Sequence, residues 1–117
     1  LGQANMSDCD HNMASYYPTS QAMNMPYALA SHGLDLVVAD TANSRILGFD
    51  DHSMAAHADR LTAQPDFAAK GDNRWGIAER DTVCWPYGMS SLGNTIAIAD
   101  SGNNRVLIWD DRLASCP

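Results

Sequence analysis

The stretch NMPYALASHGLDLVVADTANSRILGFDD at 24–51 is repeated, with substitutions, as CWPYGMSSLGNTIAIADSGNNRVLIWDD at 84–111. The two stretches align without a gap at an offset of 60 residues, and 11 of their 28 positions are identical. Most other positions exchange similar residues, such as Ile46 for Val106. Self-similarity at a fixed period of tens of residues indicates a supersecondary unit that is copied and stacked, because one unit cannot bury its own apolar faces. The chain therefore contains two copies of one structural unit.

Three short strands are predicted in each copy. Pro26 or Pro86 opens the first strand, a position at which proline is acceptable. The second and third strands are apolar at consecutive positions, which favours a sheet covered on both faces. The segments 40–43 and 100–103 between them predict tight turns, so the strands are expected to be antiparallel. The predicted strands lie at 27–31, 36–39 and 45–49 in the first copy and at 87–91, 96–99 and 105–109 in the second.

A weaker similarity extends outward from the two copies. LGQANMSDCDHN at 1–12 resembles LTAQPDFAAKGDN at 61–73, at an offset of 61 residues (64 minus 3). This similarity predicts a fourth, outer strand, once near residues 1–3 and once after the first copy. The matched residues are Gln3 with Gln64 and Asn12 with Asn73.

The chain is expected to divide into two segments. Residues 1–65 hold the outer strand, a long loop and the first copy, and residues 66–117 hold a second long loop and the second copy. The outer strand of the second copy is expected near Arg112 and Leu113. The long loops, of about twenty residues each, exceed the usual length of a connection, so they are expected to be functional or compactly packed.

Charge and composition exclude some classes of partner. The chain has 14 acidic and 7 basic residues and a formal net charge of −7, and no segment gathers lysine or arginine. Nucleic acid and anionic membranes are therefore poor partners. No stretch predicts a membrane span or a secretory signal, which leaves the compartment open. Cys9, Cys84 and Cys116 are an odd number without a CxxC spacing, which favours a reduced chain over a disulfide framework.

The motif IAIADSGNNRVLIWD at 96–110, its copy LVVADTANSRILGFD at 36–50 and the segment LTAQPDF at 61–67 resemble the NHL repeat in its long bacterial form. The resemblance covers nearly the whole chain. It implies four-stranded antiparallel blades around a central channel, usually six of them, in an all-β propeller. The first copy departs from the pattern at Ala42, where glycine is expected in the turn, and at Gly48, where a strand former is expected.

Two blades cannot close such a ring, and two arrangements are expected with equal weight. In one, copies of this chain associate head to tail, each lending its N-terminal strand to the next, so that a trimer completes six blades. In the other, the chain is part of a longer propeller, because short arrays of repeats are unstable alone.

The repeat motif itself supplies the clearest candidate site. Its charged pairs could clamp a substrate, but each spans a turn, where aspartate accepts from turn amides and arginine pairs with a carboxylate, so a structural role is expected. The residues of this structural motif are Asp40, Asn43, Arg45, Asp100, Asn103 and Arg105.

Other candidate residues are few. Histidine occurs at no equivalent position in the two copies, so no metal site is predicted, and Asp8, Asp10 and His11 are only weak candidates. No catalytic residue and no cofactor are predicted, since no nucleophile motif such as GxSxG is present. Trp75, in a long loop, is the candidate contact for a protein partner.

These observations favour a non-catalytic NHL-repeat scaffold that mediates protein–protein interaction through its loop faces. The alternative is part of a propeller lyase or lactonase with a metal at the central channel. Carboxylates or histidines at the start of each first strand would favour the enzyme, but Tyr27, Ala28, Tyr87 and Gly88 occupy those positions. The resemblance also suggests RNA binding, but the net negative charge of the chain disfavours it.

Overall fold

The fold, seen in a computed structural model that describes residues 1–110, consists of two antiparallel β-sheets. Each sheet is a meander in which consecutive strands are neighbours, as the sequence predicted. The first sheet holds β1 (Pro26–His32), β2 (Asp35–Asp40), β3 (Arg45–Phe49) and β4 (Arg60–Thr62), and the second holds β5 (Gly88–Leu92), β6 (Thr95–Asp100) and β7 (Arg105–Asp110). Within residues 1–110, the helical residues form four short 3-10 turns, at His11–Ala14, Thr41–Asn43, Asp72–Trp75 and Ser101–Asn103.

The first two strands of each sheet are joined by a two-residue hairpin. His32 pairs with Asp35 in the first sheet, and Leu92 pairs with Thr95 in the second. The first loop residue in each hairpin is a glycine with positive φ, 64° in the first sheet and 62° in the second. Glycine has no Cβ and adopts this conformation without strain. The hairpins therefore have the same register in both copies.

The turn between the second and third strands differs in detail from its prediction. The 3-10 turns Thr41–Asn43 and Ser101–Asn103 are followed by residues with positive φ, Ser44 at 50° and Asn104 at 56°. The position at which the repeat pattern favours glycine, 42 or 102, therefore does not have positive φ. Gly102 has instead a steric role, because a Cβ there would overlap Cys84. Ala42, which departs from the repeat pattern, is thus compatible with the turn.

A hydrophobic core joins the two sheets. Val37, Ala39 and Ile46 of the first sheet pack against Ile96 and Ile98 of the second, and each is at most 2% exposed. Ala28, Met89, Leu107 and Trp109 pack at the edges of this core. Burying an aliphatic side chain of this size contributes roughly 1.5–3 kcal/mol. The sheets are therefore stacked face to face, as the apolar runs on consecutive positions indicated.

The other face of the first sheet is also covered. Val38, Leu47 and Phe49 pack against Met23 from the first long loop and against Ala56 and Ala58 from the loop between β3 and β4. All six side chains are at most 8% exposed. The first sheet is thus buried on both faces.

The second sheet is covered on one face only within residues 1–110. Val106 and Ile108 on β7 are each 62% exposed, and we call their surface the open face. At an offset of 60 residues, Val106 corresponds to Ile46, which is fully buried between the sheets. The open face of the second sheet is therefore equivalent to the face of the first sheet that the second sheet covers.

The N-terminal segment differs from the outer strand predicted near residues 1–3. Gly2 forms a single parallel bridge with Ala22, and no ladder extends from it within the described residues. Its φ of 87° matches the φ of 79° at Ala63, which directly follows β4. The outer strand predicted near Arg112 and Leu113 lies outside the described residues.

Candidate functional site

The turn of the first copy is built around a buried ion pair. Arg45 Nε donates to Asp40 Oδ2 at 2.6 Å, and Asn43 Nδ2 donates to the same oxygen at 2.8 Å. Asp40 Oδ1 accepts the backbone N–H of Asn24 at 2.7 Å. Both charged side chains are fully buried. The carboxylate is therefore saturated by donors of its own chain.

Arg45 uses its remaining donors on the long loops. Nη1 donates to Phe67 O at 2.8 Å, and Nη2 donates to Thr19 O at 2.9 Å and to Ala22 O at 2.8 Å. Carbonyl oxygens of a buried loop need partners, and a guanidinium supplies several donors in one plane. Arg45 therefore fixes two loops to the sheet, and none of its nitrogens is left for a substrate.

Burial also affects the ionisation of Asp40. Loss of solvent raises the pKa of this carboxyl above its usual value, while the charge of Arg45 and the hydrogen bonds from Asn43 and Asn24 lower it. Burial has the largest effect, because it disfavours the charged form of the carboxyl. The charge of Arg45 therefore helps to keep the buried Asp40 carboxylate ionised.

The second copy repeats this network. Arg105 Nε and Asn103 Nδ2 each donate to Asp100 Oδ2 at 2.8 Å, and Arg105 Nη2 donates to Thr82 O at 2.9 Å. The Arg105 side chain is 28% exposed, whereas Arg45 is fully buried. The expected structural motif thus accords with the contacts of both copies, and the repeated unit includes the long loop before each sheet.

A pair of asparagine amides ties each long loop to the following turn. Asn12 Nδ2 donates to Asn43 Oδ1 at 3.1 Å, and Asn43 Nδ2 donates to Asn12 Oδ1 at 2.8 Å. Asn73 and Asn103 form the same reciprocal pair at 2.9 and 2.8 Å. We call each pair an amide clasp. The sequence similarity of 1–12 to 61–73 matches Asn12 with Asn73, but nothing in the spacing indicates their contacts with the turns, about thirty residues away.

Glutamine also repeats its contacts. Gln3 Nε2 donates to Asp10 O at 2.8 Å, and Gln64 Nε2 donates to the equivalent Gly71 O at 2.9 Å. Gln64 donates in addition to Ser44 O at 3.0 Å. The predicted match of Gln3 with Gln64 therefore corresponds to one shared structural role at the base of the long loop.

The weak metal candidates lie at the surface. Asp8, Asp10 and His11 are all exposed, and Asp8 accepts from Asn5 Nδ2 at 2.9 Å. Across residues 1–110, no three His, Cys, Asp or Glu side chains are grouped so that they could hold a metal ion. His57 Nδ1 lies within hydrogen-bond distance of Ser20 Oγ, at 2.8 Å.

Cys84 is poorly suited to act as a nucleophile. Burial raises the pKa of its thiol, and the negative charges of Asp72 and Asp100 raise it further. The thiolate is the reactive form, so this environment disfavours reaction. The Cys84 backbone N–H donates to Asp100 Oδ1 at 2.7 Å, which gives the residue a place in the turn network.

Trp75 lies at the edge of an open groove. It is 72% exposed, and Tyr16 and Tyr17 on the same groove are each 63% exposed. The groove has a volume of about 370 Å³, and Lys70 and Arg74 also line it. We call this surface the aromatic groove. The predicted partner contact is therefore exposed and has aromatic neighbours from the other long loop, which the sequence alone did not bring together.

The strand starts that would face a channel carry a second aromatic set. The rings of Tyr27 and Tyr87 lie 4.6 Å apart between centroids, and Trp85 stacks on Tyr87 at 6.3 Å. Tyr27 is 51% and Tyr87 43% exposed. The two equivalent tyrosines therefore pack against each other near the starts of β1 and β5.

The sequence matches no protein-family model, and comparison with curated proteins gives no significant match. Among residues 1–110, no helix has the length and apolar character needed to cross a bilayer. The functional assignment therefore rests on the residues and their geometry.

Proposed function

We propose that this chain is a non-catalytic scaffold whose two sheets are blades of an NHL-type β-propeller and whose long loops bind a protein partner. One observation carries the proposal. Arg45 and Arg105 donate hydrogen bonds that fix the loops to the sheets. The same long loops expose the aromatic side chains of the groove, Tyr16, Tyr17 and Trp75. Rigid loops with exposed aromatic residues are typical of protein-binding surfaces.

The open face supports the blade interpretation. Ile46 and Val106 occupy equivalent positions, and the first is covered by Ile96 and Ile98 of the next sheet. A further sheet of the same kind, placed on Val106 and Ile108, would repeat this contact. Stacked repeats are stabilised by contacts with their neighbours, so an exposed apolar face whose equivalent is buried indicates a contact surface. The second sheet is therefore expected to be covered by another blade in the functional assembly.

That blade comes from a second copy of the chain or from further repeats of a longer chain. Leu29 supports docking of a copy, since it is 64% exposed whereas its equivalent Met89 packs at the core between the sheets. Met23 and Ala56 already cover the outer part of the same face. A second copy would therefore have to displace these residues to repeat the full contact.

The size of the chain in solution tests this part of the proposal. We expect wild-type protein to form a closed assembly in sedimentation equilibrium, and Ile108→Asp to shift it to monomer, because a charge on the open face cannot be desolvated without a partner. Leu92→Asp is the matched control, since Leu92 is 84% exposed at a hairpin end. A wild-type monomer at all concentrations would exclude self-assembly and leave further repeats as the source of the blade.

A further inference from the structure

The aromatic groove combines rings from both long loops. Tyr16 and Tyr17 come from the first loop, and their rings meet edge to face with centroids 4.8 Å apart. Trp75 comes from the second loop and lies over Gly71, where a Cβ would overlap the indole. Lys70 Nζ lies 3.6 Å from the centroid of the Tyr16 ring. The groove is thus a defined arrangement of three exposed rings and a cation.

The rings of the groove are not required by the repeat. Asn12 and Asn73 are equivalent at an offset of 61 residues. Thr19 and Glu79 are equivalent at an offset of 60, because their carbonyl oxygens accept from Arg45 and Arg105, respectively. The first loop therefore has one extra residue between Asn12 and Thr19, in the segment that contains Tyr16 and Tyr17. Insertions in single repeats often lie on the binding face of a repeat protein.

The two copies also differ at the surface positions involved. Trp75 corresponds to Ala14, and the tyrosine pair corresponds to Ile77. The turn network and the amide clasps are identical in kind in both copies without these rings. Large apolar rings that the fold does not use cost solvation free energy when exposed, which indicates a partner.

The charge of the groove indicates the chemistry of that partner. The chain has 14 acidic residues, yet among residues 1–110 no Asp or Glu lines the groove, while Lys70 and Arg74 both do. Arg74 is anchored, since its Nε donates to Ala63 O at 3.1 Å and its Nη1 lies 3.3 Å from Asp81 Oδ2. Lys70 has no carboxylate within ion-pair distance among residues 1–110. The groove therefore offers hydrogen-bond donors and a positive charge.

A proline-rich segment matches this pattern. Polyproline II helices expose carbonyl acceptors and have few backbone donors, and they dock on grooves lined by aromatic rings. Their preformed shape also lowers the entropy cost of binding. An acidic side chain beside the prolines would pair with Lys70.

We propose that the aromatic groove binds a proline-rich, acidic peptide segment of a partner protein, with Trp75 and the tyrosine pair stacking on proline rings and Lys70 pairing with a carboxylate. This inference rests on the proposed scaffold function, because it names the partner chemistry of its loop face. Trp75 is the central residue, since tryptophan is the most frequent energetic anchor of protein interfaces.

Fluorescence anisotropy of the full chain with labelled peptides tests the proposal. We expect a peptide of repeated Pro-Pro-Glu triplets to bind saturably, and peptides of Gly-Ser-Glu or Pro-Pro-Lys triplets to bind at least tenfold more weakly. Trp75→Ala should raise the dissociation constant at least tenfold. Ile77→Ala is the matched control, since Ile77 is 79% exposed in the same loop, and it should leave binding unchanged.

A charge exchange provides a second variant at the surface. Lys70→Glu should weaken binding of the Pro-Pro-Glu peptide several-fold and strengthen binding of the Pro-Pro-Lys peptide, with both effects reduced by salt. Equal binding of the Gly-Ser-Glu peptide, no saturable binding of the Pro-Pro-Glu peptide, or binding of a neutral oligosaccharide in its place would overturn the proposal.

The two proposals can fail separately. Sedimentation of the Trp75→Ala and Lys70→Glu variants should give the same size as wild type, because neither residue lies on the open face. Loss of assembly in Ile108→Asp with no peptide binding in wild type would reject the groove proposal alone. Peptide binding by a wild-type monomer would support the groove while rejecting self-assembly.

Discussion

At the scale of single residues, the same ion pair occurs in two different environments. Arg45 and Asp40 are fully buried, whereas Arg105 is 28% exposed beside a buried Asp100. A buried ion pair is costly to break, because removal of one partner leaves a charge without solvent or counter-charge. The two copies therefore offer an internal comparison of one motif at two degrees of burial.

Arg45→Met is predicted to lower the free energy of unfolding by about 3–5 kcal/mol at neutral pH, since it leaves Asp40 charged and buried. Arg105→Met should lower it by about 1–2 kcal/mol, because water replaces part of the lost contact. Urea denaturation followed by circular dichroism measures both values. Equal losses in the two variants would show that burial does not determine the strength of the pair.

The effect of Arg45→Met is also predicted to depend on pH. Burial raises the pKa of Asp40, so the Asp40 carboxyl binds a proton more tightly in the native state than in the unfolded state. The stability contributed by Asp40 is therefore present at low pH and is lost as pH rises through the native pKa. Removing Arg45 raises that pKa further. The deficit of the variant should shrink as the solution is acidified, and a deficit that grows toward low pH would contradict this.

Gly102→Ala is predicted to lower the free energy of unfolding by about 1–3 kcal/mol, as overpacking usually does. A Cβ at this position would overlap the Cys84 carbonyl at 2.6 Å, and backbone cannot move aside as a side chain can. The first copy carries Ala42 at the equivalent position, so Ala42→Gly is the control and should cost about 1 kcal/mol or less. Thermal unfolding of both variants measures the difference.

At the scale of elements, the amide clasps connect long loops to turns. The loop before each sheet lacks strands, yet it is fixed by the clasp and by arginine donation to its carbonyls. Buried backbone groups must find partners, and these side chains supply them. The loops are therefore ordered parts of the repeat that position the aromatic groove.

A double-mutant cycle on Asn12→Ala and Asn43→Ala should give a coupling free energy of about 1–2 kcal/mol, because each amide satisfies the other in a buried site. The Asn73 and Asn103 pair is only partly buried and should give about 0.5–1 kcal/mol. Chemical denaturation of the single and double variants measures both values. Additive losses in the first pair would mean that the clasp does not act as a unit.

At the scale of the whole molecule, the chain is compact, but its two sheets are covered to different extents. Its radius of gyration is 13.0 Å, as expected for a folded domain of this size. The first sheet is covered on both faces, and the second leaves Val106 and Ile108 exposed. Stacked repeats are stabilised by contacts with their neighbours, so the open face is where the assembly is expected to continue.

The equivalent pair Ile46 and Val106 tests this asymmetry. Ile46→Ala should lower the free energy of unfolding by about 2–5 kcal/mol, since it leaves a cavity between the sheets. Val106→Ala should change it by less than about 0.5 kcal/mol in a monomer. In an assembled form, the Val106→Ala loss should grow with protein concentration. A large, concentration-independent loss at Val106 would show that the open face is covered within the chain itself.

Much of the fold could be predicted from the sequence. The consecutive apolar residues of the second and third strands indicated the strands, the turn segments 40–43 and 100–103 indicated their antiparallel order, and both are confirmed. These features depend on residues close in sequence. The outer strand near residues 1–3 was not found among the described residues, because Gly2 has only one bridge partner, Ala22.

The repeat, the strand pattern and the residues of the turn motif could be predicted from the sequence, because local spacing specifies local backbone structure. Only the tertiary structure decided that Arg45 donates to Thr19 and Phe67, that asparagines form clasps, and that Trp75 shares a groove with Tyr16. These contacts join residues far apart in the chain. Sheet stacking and loop closure bring them together, and neither leaves a periodic signal in the sequence.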